Sequence, residues 1–391
     1  MLTMLAPAPH RDNASEPDCR LCGAPLHRSL LDLGTVPMAH RSLAAGEPDA
    51  SHPLRVWLCD HCGLAQTDVI RGGGPTDHAF GEPAGRPERY VETLRSRFHL
   101  NADSLAIDIG CAESPLLRPL QAAGIRVHPV EAASFNTGTA MQVAVQHGCA
   151  DIVLAHGVLP RAADKFECAA ALACILRPNG VLSLQFPHLL SLIGRVQFDA
   201  FGPDIGAYLS LPVTERLLRS VGLRVFDAER IADNGGSLRL HVCHAHSPRD
   251  ARPGLKAVRL AEADQPALAA VFNDRAALAR DDIRGFLRAR REAGRRVAAY
   301  GATARGAMLL NVCGITTEEI AYVADADAMQ HNRLMPGSRI PIVRPDSVTV
   351  APPDDLVVLP WPHAAGMARH LPALRQSGAQ IWTLLPRIGR I

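Results

Sequence analysis

Apolar and polar positions along the chain recur with a period near two in some stretches and near 3.6 in others, and the changes of period mark its elements. Leu105–Glu131 reads as a strand, a tight turn at Gly110, a helix and a second strand ending in an acid. That is the nucleotide-binding half-unit of a doubly wound sheet. A helix from Glu88 to about His99 leads into it. After it, Ala150–Ala155 reads as a strand, Ala163–Leu176 as a helix, Pro178-Asn179-Gly180 as a turn and Val181–Phe186 as a buried strand. Pro212–Val221 has helical spacing, and Leu223–Ala228 and Ser237–Cys243 form a pair of closing strands. Strand and helix in alternation predict an α/β fold with a mainly parallel sheet covered on both faces.

A second unit of the same logic follows. Residues 253–294 are a connecting helical element. Arg296–Ala302 is a strand that turns at Gly301 into the helix Thr303–Cys313, and Glu319–Asp325 is a strand ending in an acid. Asp355–Pro360 and Gln380–Pro386 are further strands, with a helix between them from His363 to Gln376. This is a smaller Rossmann-like unit whose switch point is a second place for a ligand.

Composition narrows the function. The 391 residues carry a formal charge of +2 with no basic run, so a nucleic-acid surface is not indicated. No apolar stretch is long enough to span a membrane, and the N-terminus lacks the pattern of a secretory signal, so the cytoplasm is the expected compartment. Residues 1–17 have the composition of a disordered segment, and the Gly/Pro-rich residues 71–87 read as a linker or mobile loop. The cysteines add chemistry. Cys19 and Cys22, then Cys59 and Cys62, form two CxxC pairs, each followed by glycine. Two such knuckles aim four thiolates at one metal, a closed tetrahedral set suited to structural zinc. His61 lies inside the second knuckle as a surface residue. The remaining cysteines read as small core residues.

In this order the pieces resemble a known family. CRLCG, LDLGTVP and PLRVWLCDHCGLAQ occur early, NGGSLR spans Asn234–Arg239, and AYGATARGAMLLNVCGI spans Ala299–Ile315. PGSRIPIVRP and LPW follow at Pro336–Pro345 and Leu359–Trp361. From Cys19 onward the chain resembles the three-part sugar C-methyltransferases. The resemblance implies a zinc-binding module with its linker over 18–87, a methyltransferase-like domain over 88–248 and a C-terminal Rossmann-like domain over 249–391. It also implies S-adenosylmethionine as methyl donor and a nucleotide-linked keto-deoxy-sugar as partner. A base would take a proton beside the carbonyl, and the carbanion would then attack the methyl.

The same resemblance marks departures. Ile109–Ser114 stands where the family reads approximately IGSNDG, so Gly110 and Glu113 remain as cofactor candidates, with Glu131 expected to hold ribose hydroxyls. Only 18 residues separate Glu131 from Ala150, room for one helix, and a β-α unit is expected to be missing from the central sheet. Phe198–Leu211 matches a catalytic loop whose titratable residues are replaced by Gly202, Pro203 and Ile205. Asp204 and His188 are the catalytic candidates that remain, and Gln185 stands where Glu is usual. On the sugar side, Ser237 and Arg239 are kept in NGGSLR. Tyr300, Gly301 and Ala302 make a turn whose N–H groups suit an anion, Arg305 lies one turn into the helix, and Asp325 suits a ribose. Two readings stay open: a methyltransferase, or a relative that binds a nucleotide sugar, or acts on it otherwise, without moving a methyl group.

Overall fold

The computed structural model describes residues 17–39, 41–68, 87–110, 114–369 and 378–391. The expected disordered terminus and linker, and the candidate Glu113, lie essentially outside these residues. Among them, no helix is long and apolar enough to cross a membrane.

The N-terminal module is a sheet as well as a pair of knuckles, a feature beyond what the cysteine spacing predicts. β1 (Arg28–Pro37), β2 (Ser51–Leu58) and β3 (Ala65–Thr67) form an antiparallel meander. The central sheet follows: β4 (Leu105–Gly110), β5 (Arg126–Glu131), β6 (Ala150–His156) and β7 (Leu176–Pro187) are its parallel strands. β8 (Ala207–Tyr208) pairs with β3, so the loop Phe198–Leu211 supplies the fourth strand of the N-terminal sheet. β9 (Leu223–Ile231) and β10 (Ser237–His244) complete the central sheet antiparallel, in the order β5-β4-β6-β7-β10-β9.

One predicted turn is a strand irregularity. Pro178-Asn179-Gly180 lies inside β7, where the β6 ladder slips between Ala150 and Ile152 and these residues are the excess. Between β5 and β6 the chain makes a single helical turn and the helix Thr137–His147, without a strand. β5 is therefore the sheet edge, as expected from the short span. Arg126 N–H donates to the Ser104 carbonyl, so the strand alternation turns the N–H positions of Val127, Pro129 and Glu131 outward. Pro129 thus removes a donor from the exposed side, one of the ways an edge is kept from pairing with other chains.

Three helices, Pro253–Ala261, Gln265–Ala270 and Phe272–Glu292, carry the chain to the C-terminal sheet. There β11 (Val297–Tyr300), β12 (Val323–Ala324), β13 (Ile342–Val343), β14 (Asp355–Val358) and β15 (Gln380–Thr383) are parallel, and β16 (Gly389–Arg390) closes the edge antiparallel. The strand expected over Glu319–Asp325 shortens to β12, and the helix from His363 is described as Ala364–Arg369. One apolar core joins β1 and β2, the loop at Phe198–Ile205, the helix Phe272–Glu292 and the C-terminal sheet. The knuckles pack instead into the core under the central sheet, beside Ile107 and Leu182.

Candidate functional site

The knuckles form as their spacing requires. Cys19 and Cys59 carbonyls each accept from the N–H of the glycine four residues on, and Gly23 and Gly63 take φ of 72° and 78°, which a side chain would resist. The four sulfurs lie within 4.8 Å of one another, with Cys19–Cys62 at 3.5 Å and Cys22–Cys59 at 3.6 Å. Burial pushes the Cys19 and Cys62 thiols up; at Cys59 burial is outweighed by the N–H groups of Cys62 and His61, which draw it down. Four sulfurs this close, two of them buried and two partly so, suit a bound dication that makes them thiolates, which is the donor set of structural zinc.

At the carboxyl ends of the central strands, the topological switch point lies between β4 and β6, where the chain turns from one side of the sheet to the other and where such sheets place their ligand crevice. Gly110 ends β4 in register with Glu131 of β5, which brings these two predicted residues side by side. Among the described residues, nothing lies within 4 Å of where a side chain at Gly110 would begin. Two residues earlier, Asp108 is buried, and its Oδ2 has no hydrogen-bond partner among the described residues. Burial, partly offset by a hydrogen bond with Ser114, pushes its carboxyl up to about 6. A glycine at the end of β4, an acid at the edge strand and a carboxylate oxygen without a partner among the described residues fit a nucleoside carrying a positive group.

Strand register assembles a polar cluster beside this crevice. His156, Gln185, Arg239 and Glu229 follow one another across β6, β7, β10 and β9, and Ser183 lies opposite His241 one rung below. The helix Pro87–Phe98 sets Tyr90 over them. Its hydroxyl is 2.8 Å from Ser183 Oγ and 3.4 Å from His156 Nε2, and the Arg239 guanidinium stacks 4.0 Å from its ring. Burial raises the Tyr90 phenol, against the pull of Arg239. Tyr90, His156 and Ser183 do not stand out in the sequence. His156 and Ser183 are single polar residues in apolar strands and Tyr90 is one of the few buried positions of a mostly polar helix, so only the ladder and the helix placement bring them together.

Asp227, Glu229 and His241 also lie close enough to share an ion, but Arg97 pairs with both carboxylates and stands in for one. Burial, with Arg97 and Arg239, drives the His241 imidazole far below its ordinary value.

The two expected bases are engaged elsewhere. Asp204 is ion-paired with Arg161, so its carboxylate is already engaged by a guanidinium. His188 is wholly buried, 2.7 Å from Glu262 Oε1, which also accepts from Leu211 N–H. It ties β7 to the connecting helices and does not face a crevice. Tyr208 is buried, its hydroxyl accepting from Gly202 N–H at 2.9 Å.

The expected sugar-side residues divide. Ser237 opens β10 opposite Pro187, and Arg239 donates to Gln185 Oε1 at 2.9 and 2.6 Å, both beside the polar cluster. Tyr300, Gly301 and Ala302 meet Asp325 at the C-terminal turn, but Asp325 Oδ2 accepts from Ala302 N–H at 2.6 Å, so the acid fills the anion position itself. Pro360 packs directly on Gly301, where a side chain would collide with its ring. Arg305, expected to assist that site, turns toward the central domain. It forms two 2.9 Å bonds to Asp199, which also accepts from Trp361 Nε1 at 3.0 Å.

Known proteins share this plan. Residues 19–70 match a family model described as "Putative zinc binding domain", and residues 232–386 match one described as "C-methyltransferase C-terminal domain". The C-methyltransferase NovU of Streptomyces niveus is 27% identical over 405 residues, spanning 94% of this chain and 95% of NovU. Among solved structures, magnesium protoporphyrin IX methyltransferase (ChlM) from Synechocystis PCC 6803 is similar over 40% of this chain and 81% of its own, with 19% identity and a TM-score of 0.30. The CcbJ methyltransferase from Streptomyces caelestis is similar over 41% and 98%, with 13% identity and a TM-score of 0.29.

Proposed function

Because this chain belongs to the C-methyltransferase family, we propose that it moves the methyl group of S-adenosylmethionine to a carbon of a nucleotide-linked keto-deoxy-sugar. The observation that carries this reading is the cluster of Tyr90, His156, Ser183 and Arg239 beside the Gly110 crevice. When bound, the methyl donor supplies an electrophilic methyl group on a cationic sulfur. Gly110 would leave room for it at the turn, Glu131 would accept from its ribose hydroxyls, and Asp108 would contribute negative charge. Zinc is held by the four thiolates as a structural ion.

His156 is the proton acceptor in this reading. Its Nε2 shares a hydrogen-bonding reach with the Tyr90 hydroxyl, which Ser183 orients. Arg239 sets a fixed positive charge against the tyrosine ring, where it favours a developing enolate oxygen. The test needs no methyl donor. Incubation with thymidine-diphospho-4-keto-6-deoxyglucose in deuterated water should exchange a proton beside the carbonyl, and His156→Asn should lower the rate at least 100-fold. Absence of exchange with the wild-type chain contradicts the proposal.

A second reading has its own support: the Arg161–Asp204 pair and the buried His188 leave the former catalytic loop without a base. In that reading the chain binds the sugar and transfers nothing. Binding of the same sugar without exchange would select it.

A further inference from the structure

Asp233 takes no part in proton removal or methyl transfer, yet its surroundings single it out. It lies in the turn between β9 and β10, only 5% exposed. Its Oδ2 accepts from Gln185 Nε2 at 2.8 Å, whereas Oδ1 is buried with no hydrogen-bond partner among the described residues. Folding away an unpaired carboxylate oxygen is costly, and such an atom persists where something else is meant to meet it.

The neighbours fix it there. Both bonds from Arg239 fall on Gln185 Oε1, which forces the amide N–H group toward Asp233. A glutamate at 185, usual in the family this chain resembles, would set one carboxylate against another. The amide and the acid are therefore a matched pair: relative to that pattern, the negative charge has moved from β7 to the turn, while Arg239 stays. The turn itself is held firmly. Asn234 has φ of 43°, its carbonyl accepts from Arg305 at 3.0 Å, and the Gly235 carbonyl accepts from Gln197 at 2.8 Å and Arg195 at 3.2 Å. Side chains at Gly235 and Gly236, φ 92° and 117°, would run into Gln197 and Ser191.

The chemistry of a partner follows from these charges. An incoming cation would meet the guanidiniums of Arg239, Arg195 and Arg305, and an anion would meet Asp233 itself. A neutral hydroxyl satisfies the bare oxygen without either conflict. We infer that Asp233 is a substrate-contacting residue whose Oδ1 accepts a hydrogen bond from a ring hydroxyl of the substrate, beside Gln185 and His156. This rests on the proposal that a nucleotide-linked sugar occupies the mouth of the central sheet.

Titration calorimetry without S-adenosylmethionine tests it, so the result does not depend on methyl-donor binding. Thymidine diphosphate-glucose should bind the wild-type chain about tenfold more tightly than thymidine diphosphate, the worth of one charge-assisted hydrogen bond. In Asp233→Ala the ratio should fall to within twofold. In Asp233→Asn, which keeps an acceptor for Gln185 and so preserves the turn, it should fall at least threefold. Affinity for thymidine diphosphate should be unchanged in both. A wild-type ratio of one, no binding of either probe, or a ratio that Asp233→Asn leaves intact overturns the inference. Loss of sugar-proton exchange with the tenfold ratio intact would instead count against His156 and the proposed reaction.

Discussion

Asp108 shows how one buried atom ties stability to ligand binding. Its carboxyl ordinarily titrates at 3.8, and burial raises it to about 6 in the folded chain. A group raised in this way contributes its stabilising share below pH 3.8, where it is neutral folded and unfolded alike. That share is lost as pH rises through about 6 and the folded chain must hold a buried anion. Asp108→Asn should therefore add roughly 2–3 kcal/mol to the unfolding free energy near pH 8 and almost nothing near pH 3. Urea melts at the two pH values measure this; an equal gain at both would show that the charge is not the cause. A cationic ligand in the crevice should shrink the gain. Asp204 and His188 teach the reverse lesson. Both are titratable residues near a catalytic loop by sequence, and both are consumed by partners, Arg161 and Glu262, that lie far away along the chain.

Among the elements, the knuckle sheet and β5 have the clearest consequences. The N-terminal sheet takes its fourth strand from Ala207–Tyr208, so losing the metal should disturb the central domain as well as the module. Metal analysis should give about one zinc per chain. Cys59→Ser should abolish it and lower the melting temperature by about 10 °C or more, since structural zinc supplies on the order of 10 kcal/mol of folding free energy. A zinc-free chain with an unchanged melting point would contradict this. At the edge, Pro129→Val restores an outward N–H to β5. It should increase self-association, measurable by sedimentation velocity, while leaving the fold intact. A variant that stays as dispersed as the parent would mean that the proline has no such protective role.

Across the whole molecule, the C-terminal unit is joined to the loop at Phe198–Ile205 by a shared apolar core and by a buried ion pair. Asp199 is wholly buried and depends on Arg305 and Trp361. Arg305→Leu should cost roughly 3–5 kcal/mol, because it strands that carboxylate; a cost below about 1 kcal/mol, read by chemical denaturation, would argue against the pair as the joint. Much of the plan is legible from the chain alone. Cys19, Cys22, Cys59 and Cys62 announce their site by local spacing, and the short span after Glu131 announces the missing strand by length. What stays hidden depends on register. Tyr90, His156 and Ser183 come together only through helix placement and the β6-β7-β10 ladder. Arg305 cannot be read as a joint because Asp199 is 106 positions away. β1 and β2 lie between the two cysteine pairs and β3 just after the second, and those cysteines point to metal rather than to a sheet.

The central claim is that the crevice at Gly110, with Asp108 and Glu131, still holds a methyl donor despite the altered turn and absent strand. Calorimetric titration with S-adenosylhomocysteine tests it most directly. The account predicts one site per chain with a dissociation constant in the micromolar range, weakened at least tenfold in Glu131→Ala. Absence of binding at millimolar ligand by a chain that carries its zinc and melts cooperatively would contradict it.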